Sequence, residues 1–185
     1  DKCLMTLGGK TLLQRIVDTA MPQVGPLVLN TNSDPALFGA YELPVAPDVI
    51  DGFAGPLAGV LTGLEWAQAN APECDWVASF ACDAPFAPAD LVARLVAAVM
   101  DQDADMACAN SGGRDHPVFA LWPVRLADDL RKAVVNEELR KVDVWTGRYK
   151  IARVEFDAGQ GDPFFNVNTP ADMARARMLL AEGQS

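Results

Sequence analysis

The sequence predicts one mostly parallel α/β sheet with helices on both faces and a small antiparallel hairpin inserted into it. Three observations carry that expectation. Short apolar runs alternate with stretches of 3.6-residue periodicity, the pattern of strands joined by crossover helices. The run Trp76-Val77-Ala78-Ser79-Phe80-Ala81 is apolar almost throughout, as a strand covered on both faces must be. The 185 residues, half of them hydrophobic and 22% charged, suffice for one core and contain no repeat, low-complexity stretch or linker that would divide two domains.

In chain order, Lys10 to Met21 is expected to be helical, because Leu12, Leu13, Ile16, Val17 and Ala20 share one face. Pro22 and Gly25-Pro26 end it. Leu27 to Asn30 and Leu43 to Ala46 read as short strands, the second running into Pro47-Asp48. Gly55-Pro56 opens a helix to about Asn70, with proline in the first turn where its missing N–H costs nothing. Asp75 to Cys82 is the central strand, and Pro85 stops it because proline cannot extend the ladder. A helix follows from Pro88 to Gln102. Asp105 to Ala109 and Pro117 to Trp122 form a hairpin around Asn110-Ser111-Gly112-Gly113. Helical pattern resumes over Val124 to Val135 and, more weakly, over Glu137 to Val144. Ile151 to Phe156 is the last strand. Thr169 caps a final helix with Pro170 at its first position, reaching Ala181.

Composition narrows the function classes. A net charge of −10 argues against a nucleic-acid partner, whose phosphates need a basic patch. No apolar run approaches the roughly 18 residues of a membrane span. Cys3, Cys74, Cys82 and Cys108 show no zinc spacing and read as reduced thiols of a cytosolic protein. No strand precedes Lys2, although α/β sheets usually open with one, so upstream material is expected to be missing.

Four polar sites each follow an apolar run directly: Asn30, Asp48, Asp83 and the pair Asn166 and Asn168. Carboxyl ends of parallel strands share one edge, so these side chains can converge on one cleft. Asp83 is a carboxylate suited to Mg²⁺ with substrate phosphates as co-ligands, or a turn former. Asn30 and Asp48 are equally compatible with simple turns, Lys2 with a solvated surface lysine. His116, the only histidine, lies in Arg114-Asp115-His116-Pro117 and is compatible with a structural role. No Ser-His-Asp order or histidine cluster stands out.

Taken in order, Asp1-Lys2, Leu7-Gly8-Gly9-Lys10-Thr11-Leu12, Asn30-Thr31-Asn32, Gly55-Pro56-Leu57-Ala58-Gly59, Cys82-Asp83-Ala84-Pro85, Arg114-Asp115-His116-Pro117 and Phe165-Asn166-Val167-Asn168-Thr169-Pro170 resemble the molybdenum cofactor guanylyltransferases. The resemblance covers essentially the whole chain. It implies a single Rossmann-like, three-layer nucleotidyltransferase domain over residues 1–185, whose N-terminal strand and most of whose glycine-rich loop are missing. Lys2 matches the lysine closing that loop, Asn30 and Asp48 the guanine-nucleotide pocket, and Asp83 the Mg²⁺ ligand. Asn166 and Asn168 match the pair near the acceptor, and Arg114 and His116 a motif on the acceptor side.

The implied reaction is Mg²⁺-dependent transfer of GMP from GTP to the phosphate of molybdopterin, in the cytoplasm, with transient contacts to molybdoenzymes or cofactor-delivery proteins. The attacking phosphate monoester is largely dianionic near pH 7, so charge cancellation rather than a general base is what it needs. The alternatives are a cytidylyl- or sugar-phosphate nucleotidyltransferase of the same fold, disfavoured by Asn166 and Asn168 where those relatives tend to carry aspartates. In another class stands a phospho-accepting receiver domain using Asp83.

Overall fold

In the computed structural model, residues 1–52, 55–159 and 161–182 are described. The elements are β1 (Thr6–Leu7), β2 (Lys10–Thr11), α1 (Leu12–Ala20), β3 (Leu29–Asn30), β4 (Val45–Ala46), α2 (Pro56–Asn70), β5 (Trp76–Ser79), α3 (Leu91–Gln102), β6 (Met106–Ser111), β7 (Arg114–Pro123), α4 (Ala127–Asn136), α5 (Val142–Thr146), β8 (Ile151–Glu155) and α6 (Pro170–Glu182).

A four-stranded mixed sheet in the order β5-β7-β6-β8 forms the centre. β7 runs antiparallel to both β5 and β6, while β6 and β8 are parallel. Thus β5, β6 and β8 point one way, and the return strand of the hairpin lies inside the sheet. β3 and β4 form a separate parallel ladder. An apolar cavity of about 320 Å³ separates β3 from β5, lined by residues 27–30 on one side and 77–80 on the other.

Alternation along the central strands builds two cores. Met106 and Cys108 of β6, with Ala120 and Trp122 of β7, face Leu57, Leu61 and Leu64 of α2, Leu130 of α4 and Trp145 of α5. Ala107 and Ala109, with Phe119 and Leu121, face Leu91 and Leu95 of α3 and Phe156 and Phe164. Successive strand side chains point to opposite faces, so one strand feeds both layers and a three-layer sandwich results. Each fully buried Leu or Phe contributes on the order of 1.5–3 kcal/mol to this closure.

Several boundaries differ from expectation, for identifiable reasons. Lys10 and Thr11 are not helical: they pair with Thr6 and Leu7 across Gly8 and Gly9 (φ 58° and 82°). The helix begins at Leu12, where the Thr11 hydroxyl accepts from Gln14 N at 3.0 Å. The main hairpin needs only Gly112 and Gly113 for its turn (φ 55° and 77°), because two positive-φ residues complete a type I′ connection. Asn110 and Ser111 therefore join β6. The register shifts between Cys108 and Ala109, leaving residues 117–119 of β7 without a partner on β6; Pro117, the first of them, has no N–H to donate to a ladder.

Candidate functional site

The N-terminal turn delivers Lys2. Asp1 caps that turn through its carboxylate, and the same carboxylate accepts from the Ser33 hydroxyl at 2.9 Å. Lys2 Nζ then reaches Asp83 Oδ2 at 2.6 Å and donates to Asn168 Oδ1 at 2.5 Å. Asp83 lies in the turn after β5, beyond the carboxyl end of that strand, and its side chain is 14% exposed against 47% for Lys2. A carboxylate of low exposure thus meets a half-exposed ammonium.

Asn168 is oriented from both sides. Val167 N donates to the Asp83 carbonyl at 2.8 Å. At the start of α6, Asp172 accepts from Thr169 N and Oγ1 (2.8 and 2.9 Å) and from Asn168 N (3.1 Å), while Asp172 N donates back to Thr169 Oγ1. These reciprocal bonds are a capping box. They confirm Thr169 as the cap and hold the Asp172 carboxyl below its ordinary range, chiefly through the Thr169 hydroxyl bond.

A second group sits at the carboxyl ends of β3 and β4. Asn30 Nδ2 donates to Asp48 Oδ1 at 3.0 Å and to the Ala46 carbonyl at 3.1 Å. Asn32 Nδ2 donates to Asp48 Oδ2 at 2.9 Å, and Asp48 N donates to Asn32 Oδ1 at 2.8 Å. Asn30 and Asp48 line the cavity between β3 and β5, together with Cys82 beside Asp83. Helix α2 approaches this group closely: a Cβ on Gly59 would lie 2.7 Å from Asn30 Oδ1. The Asp1–Ser33 bond links the two groups into one rim.

The structure therefore brings together Lys2, Asp83 and Asn168, and beside them Asn30 and Asp48. Asn166 is exposed on the same segment as Asn168. Arg114 is exposed at the start of β7. His116 is different: it is 9% exposed, its ring lies against Phe164 with centroids 4.7 Å apart, and its Nε2 is 2.7 Å from Ser111 Oγ. Burial is the main cause that lowers its pKa. Asn32, Gly59, Ser111 and Asp162 are participants that reading the chain for polar residues after apolar runs did not single out. Asn32 and Gly59 were nonetheless visible as members of motifs.

Thiol chemistry is disfavoured at this rim. Burial pushes Cys3 up to about 11 and also raises Cys82, so both stay protonated near neutrality. Among the described residues no group of three acids, thiols or imidazoles could enclose a metal alone, and no helix is long and apolar enough to cross a membrane. What the arrangement can do is bind phosphate groups between an ammonium and a carboxylate-held cation, with amides at hand for a base or an acceptor.

A family model described as MobA-like NTP transferase domain matches residues 1–151. A molybdenum cofactor guanylyltransferase of Bradyrhizobium sp. (strain ORS 278) is 52% identical over 181 residues, 98% of this chain and 85% of the relative. One from Mesorhizobium japonicum is 48% identical over 183 residues, 97% and 88% of the two chains. Among solved structures, molybdopterin-guanine dinucleotide biosynthesis protein A from Archaeoglobus fulgidus superposes with a TM-score of 0.75 at 21% identity, covering 98% of this chain and 91% of that one. A Mycobacterium tuberculosis protein solved in complex with manganese has a TM-score of 0.67 at 17% identity, covering 96% and 91%.

Proposed function

The chain belongs to the MobA-like NTP transferase family, and from that membership we propose that it transfers the GMP moiety of GTP to the phosphate of molybdopterin, releasing pyrophosphate and forming the guanine dinucleotide cofactor. The observation that supports the residue roles is the convergence of Lys2, Asp83 and Asn168 beside the Asn30–Asp48 pair. A receiver domain would need further acids around Asp83 and a late-strand lysine; here the partner of Asp83 is Lys2.

Magnesium fits this donor set. Mg²⁺ takes one or two protein carboxylates and leaves its other positions to substrate phosphates and water, and Asp83 offers one carboxylate at the lip of the sheet. When bound, the ion would neutralise charge at the α-phosphate. Lys2, half exposed and already beside Asp83, supplies a point charge to the triphosphate once phosphate oxygens compete for it. In this reading Asn30 and Asp48 meet the base: the Asp48 carboxylate, oriented by the Asn30 amide on one oxygen and the Asn32 amide on the other, accepts from guanine N–H groups through its remaining lone pairs. Asn166, Asn168 and Arg114 are assigned to the acceptor in this reading, as is His116, which is buried against Phe164. Two anionic groups meet in line, so positioning and electrostatics do the work and no general base is required.

The reaction runs in the cytoplasm in this reading, with product passing to molybdoenzymes or delivery proteins. The test is direct. With molybdopterin and Mg²⁺, the protein should form the guanine dinucleotide from GTP, followed by chromatography, and pyrophosphate should appear in equal amount. CTP should give little product. Equal or faster turnover of CTP would replace this reading with that of a cytidylyltransferase.

A further inference from the structure

A second polar cluster lies under the hairpin, away from the rim. Ser111, 4% exposed, and His116, 9% exposed, are diagonal neighbours on one face of β6 and β7. Ser111 Oγ lies 2.7 Å from His116 Nε2 and 2.8 Å from Asp162 Oδ1. A carboxylate can only accept, so the hydroxyl proton points to Asp162 and His116 donates its Nε2–H to the hydroxyl oxygen. The resulting chain runs from imidazole through hydroxyl to carboxylate. It is not a nucleophile arrangement, because the serine occupies the middle and its proton is engaged by the acid.

The far end of that chain leads to the site. Asp162 Oδ1 also accepts from Phe164 N at 2.9 Å, and the Asp162 carbonyl accepts from Phe165 N at 3.1 Å. These bonds close the turn from which Asn166 and Asn168 follow. Val167 N then bonds the Asp83 carbonyl, and Asn168 meets Lys2. The stretch 162–168 is thus held on the buried Ser111 hydroxyl at one end, and on the turn of Asp83 and Lys2 at the other. Phe164 packs against His116, Phe119 and Phe156, so a shift of Asp162 would have to move a buried ring.

We propose that Ser111 and Asp162 are positioning residues, whose hydrogen bond sets the stretch 162–168 so that Asn166 and Asn168 meet the acceptor; the proposal rests on the acceptor-side role given above to those two amides. His116 shares this task by orienting the serine hydroxyl. A displacement of about 1 Å at a reacting group can cost on the order of a hundredfold in rate, so a single buried bond in a connecting segment has leverage on turnover.

The experiment measures steady-state kinetics with each substrate varied, and GTP affinity by calorimetry with Mg²⁺, for wild type, Ser111→Ala, Asp162→Ala, Asp162→Asn and Asn168→Ala. Ser111→Ala and Asp162→Ala should raise the acceptor KM or lower kcat by roughly tenfold, while GTP affinity stays within about twofold of wild type. Asp162→Asn should recover most of the loss, because its amide oxygen still accepts from Ser111 and Phe164 N. A merely misfolded variant would lose GTP affinity in step with turnover, and that result overturns the proposal. So does an Asp162→Asn as impaired as Asp162→Ala. Normal kinetics in Ser111→Ala beside a crippled Asn168→Ala overturns the proposal alone. Normal kinetics in Asn168→Ala overturns the acceptor-side reading and the proposal with it.

Discussion

The group around Asp48 and the group around Ser111 are built from the same parts, carboxylate, neutral polar side chain and short hydrogen bonds, yet they stand in opposite surroundings. Asn30 and Asn32 are exposed and Asp48 is half-buried. Their mutual bonds can be exchanged for bonds to water or ligand at little net cost. Ser111 and His116 are buried, where an unmade bond costs about 1–3 kcal/mol. Between these two groups exposure, not composition, separates side chains available to a ligand from those that hold the frame.

The largest effect should come from the rim. Asp83→Ala should lower kcat on the order of a thousandfold, since it removes the carboxylate that holds charge at the reacting phosphates. Thermal unfolding should barely move, because the partly exposed Lys2–Asp83 pair is worth little to stability. A large drop in melting temperature would assign Asp83 to the frame instead. Next, Asp48→Ala should weaken GTP binding roughly tenfold to a hundredfold, the range for a hydrogen bond to a charged group. Calorimetry reads it, and acceptor KM should not follow.

Gly59→Ala should have a smaller and divided effect. Alanine is favoured over glycine inside a helix by about 0.8–1 kcal/mol, so stability should hold or rise. The added Cβ, 2.7 Å from Asn30 Oδ1, should displace that amide from Asp48 and raise the GTP KM a few-fold. Unchanged nucleotide kinetics would show that Asn30 takes no part in binding.

The smallest effect belongs to the buried tie and is read by pH. Burial lowers the His116 pKa below its ordinary 6.5, so the unfolded chain takes up a proton first. Stability should therefore be full above pH 6.5 and fall as the pH drops from there toward the lower folded value. Urea titrations at pH 7.5 and 5.5 for wild type and His116→Gln would reveal it. An equal slope in both proteins would remove His116 as its source.

Much of this architecture was legible in the chain. Leu12, Leu13, Ile16, Val17 and Ala20 marked α1, and all five are buried. Trp76 to Ser79 and Ile151 to Glu155 form strands within the expected runs. Asn30, Asp48 and Asp83 were marked by the strands they end or closely follow, whereas Asn166 and Asn168 follow no strand and reach the rim on the segment between β8 and α6. What could not be read was pairing at a distance. Nothing local says that β7 lies between β5 and β6, or that Lys10 and Thr11 pair with Thr6 and Leu7 and leave the helix. The Ser111–Asp162 bond joins residues 51 apart, and neither stands in a pattern that periodicity detects. Gly112 and Gly113 marked the hairpin but not that their turn needs no further residue, which leaves Ser111 in the strand.

Turnover in this reading depends above all on the Asp83 carboxylate as the protein's hold on the divalent ion. Electron paramagnetic resonance of Mn²⁺, titrated into protein and a non-hydrolysable GTP analogue, measures that hold without turnover. Asp83→Asn should weaken the ternary Mn²⁺ affinity at least tenfold, the range for losing a bond to a charged group, while leaving the melting temperature near that of wild type. Wild-type Mn²⁺ affinity in Asp83→Asn would contradict the account.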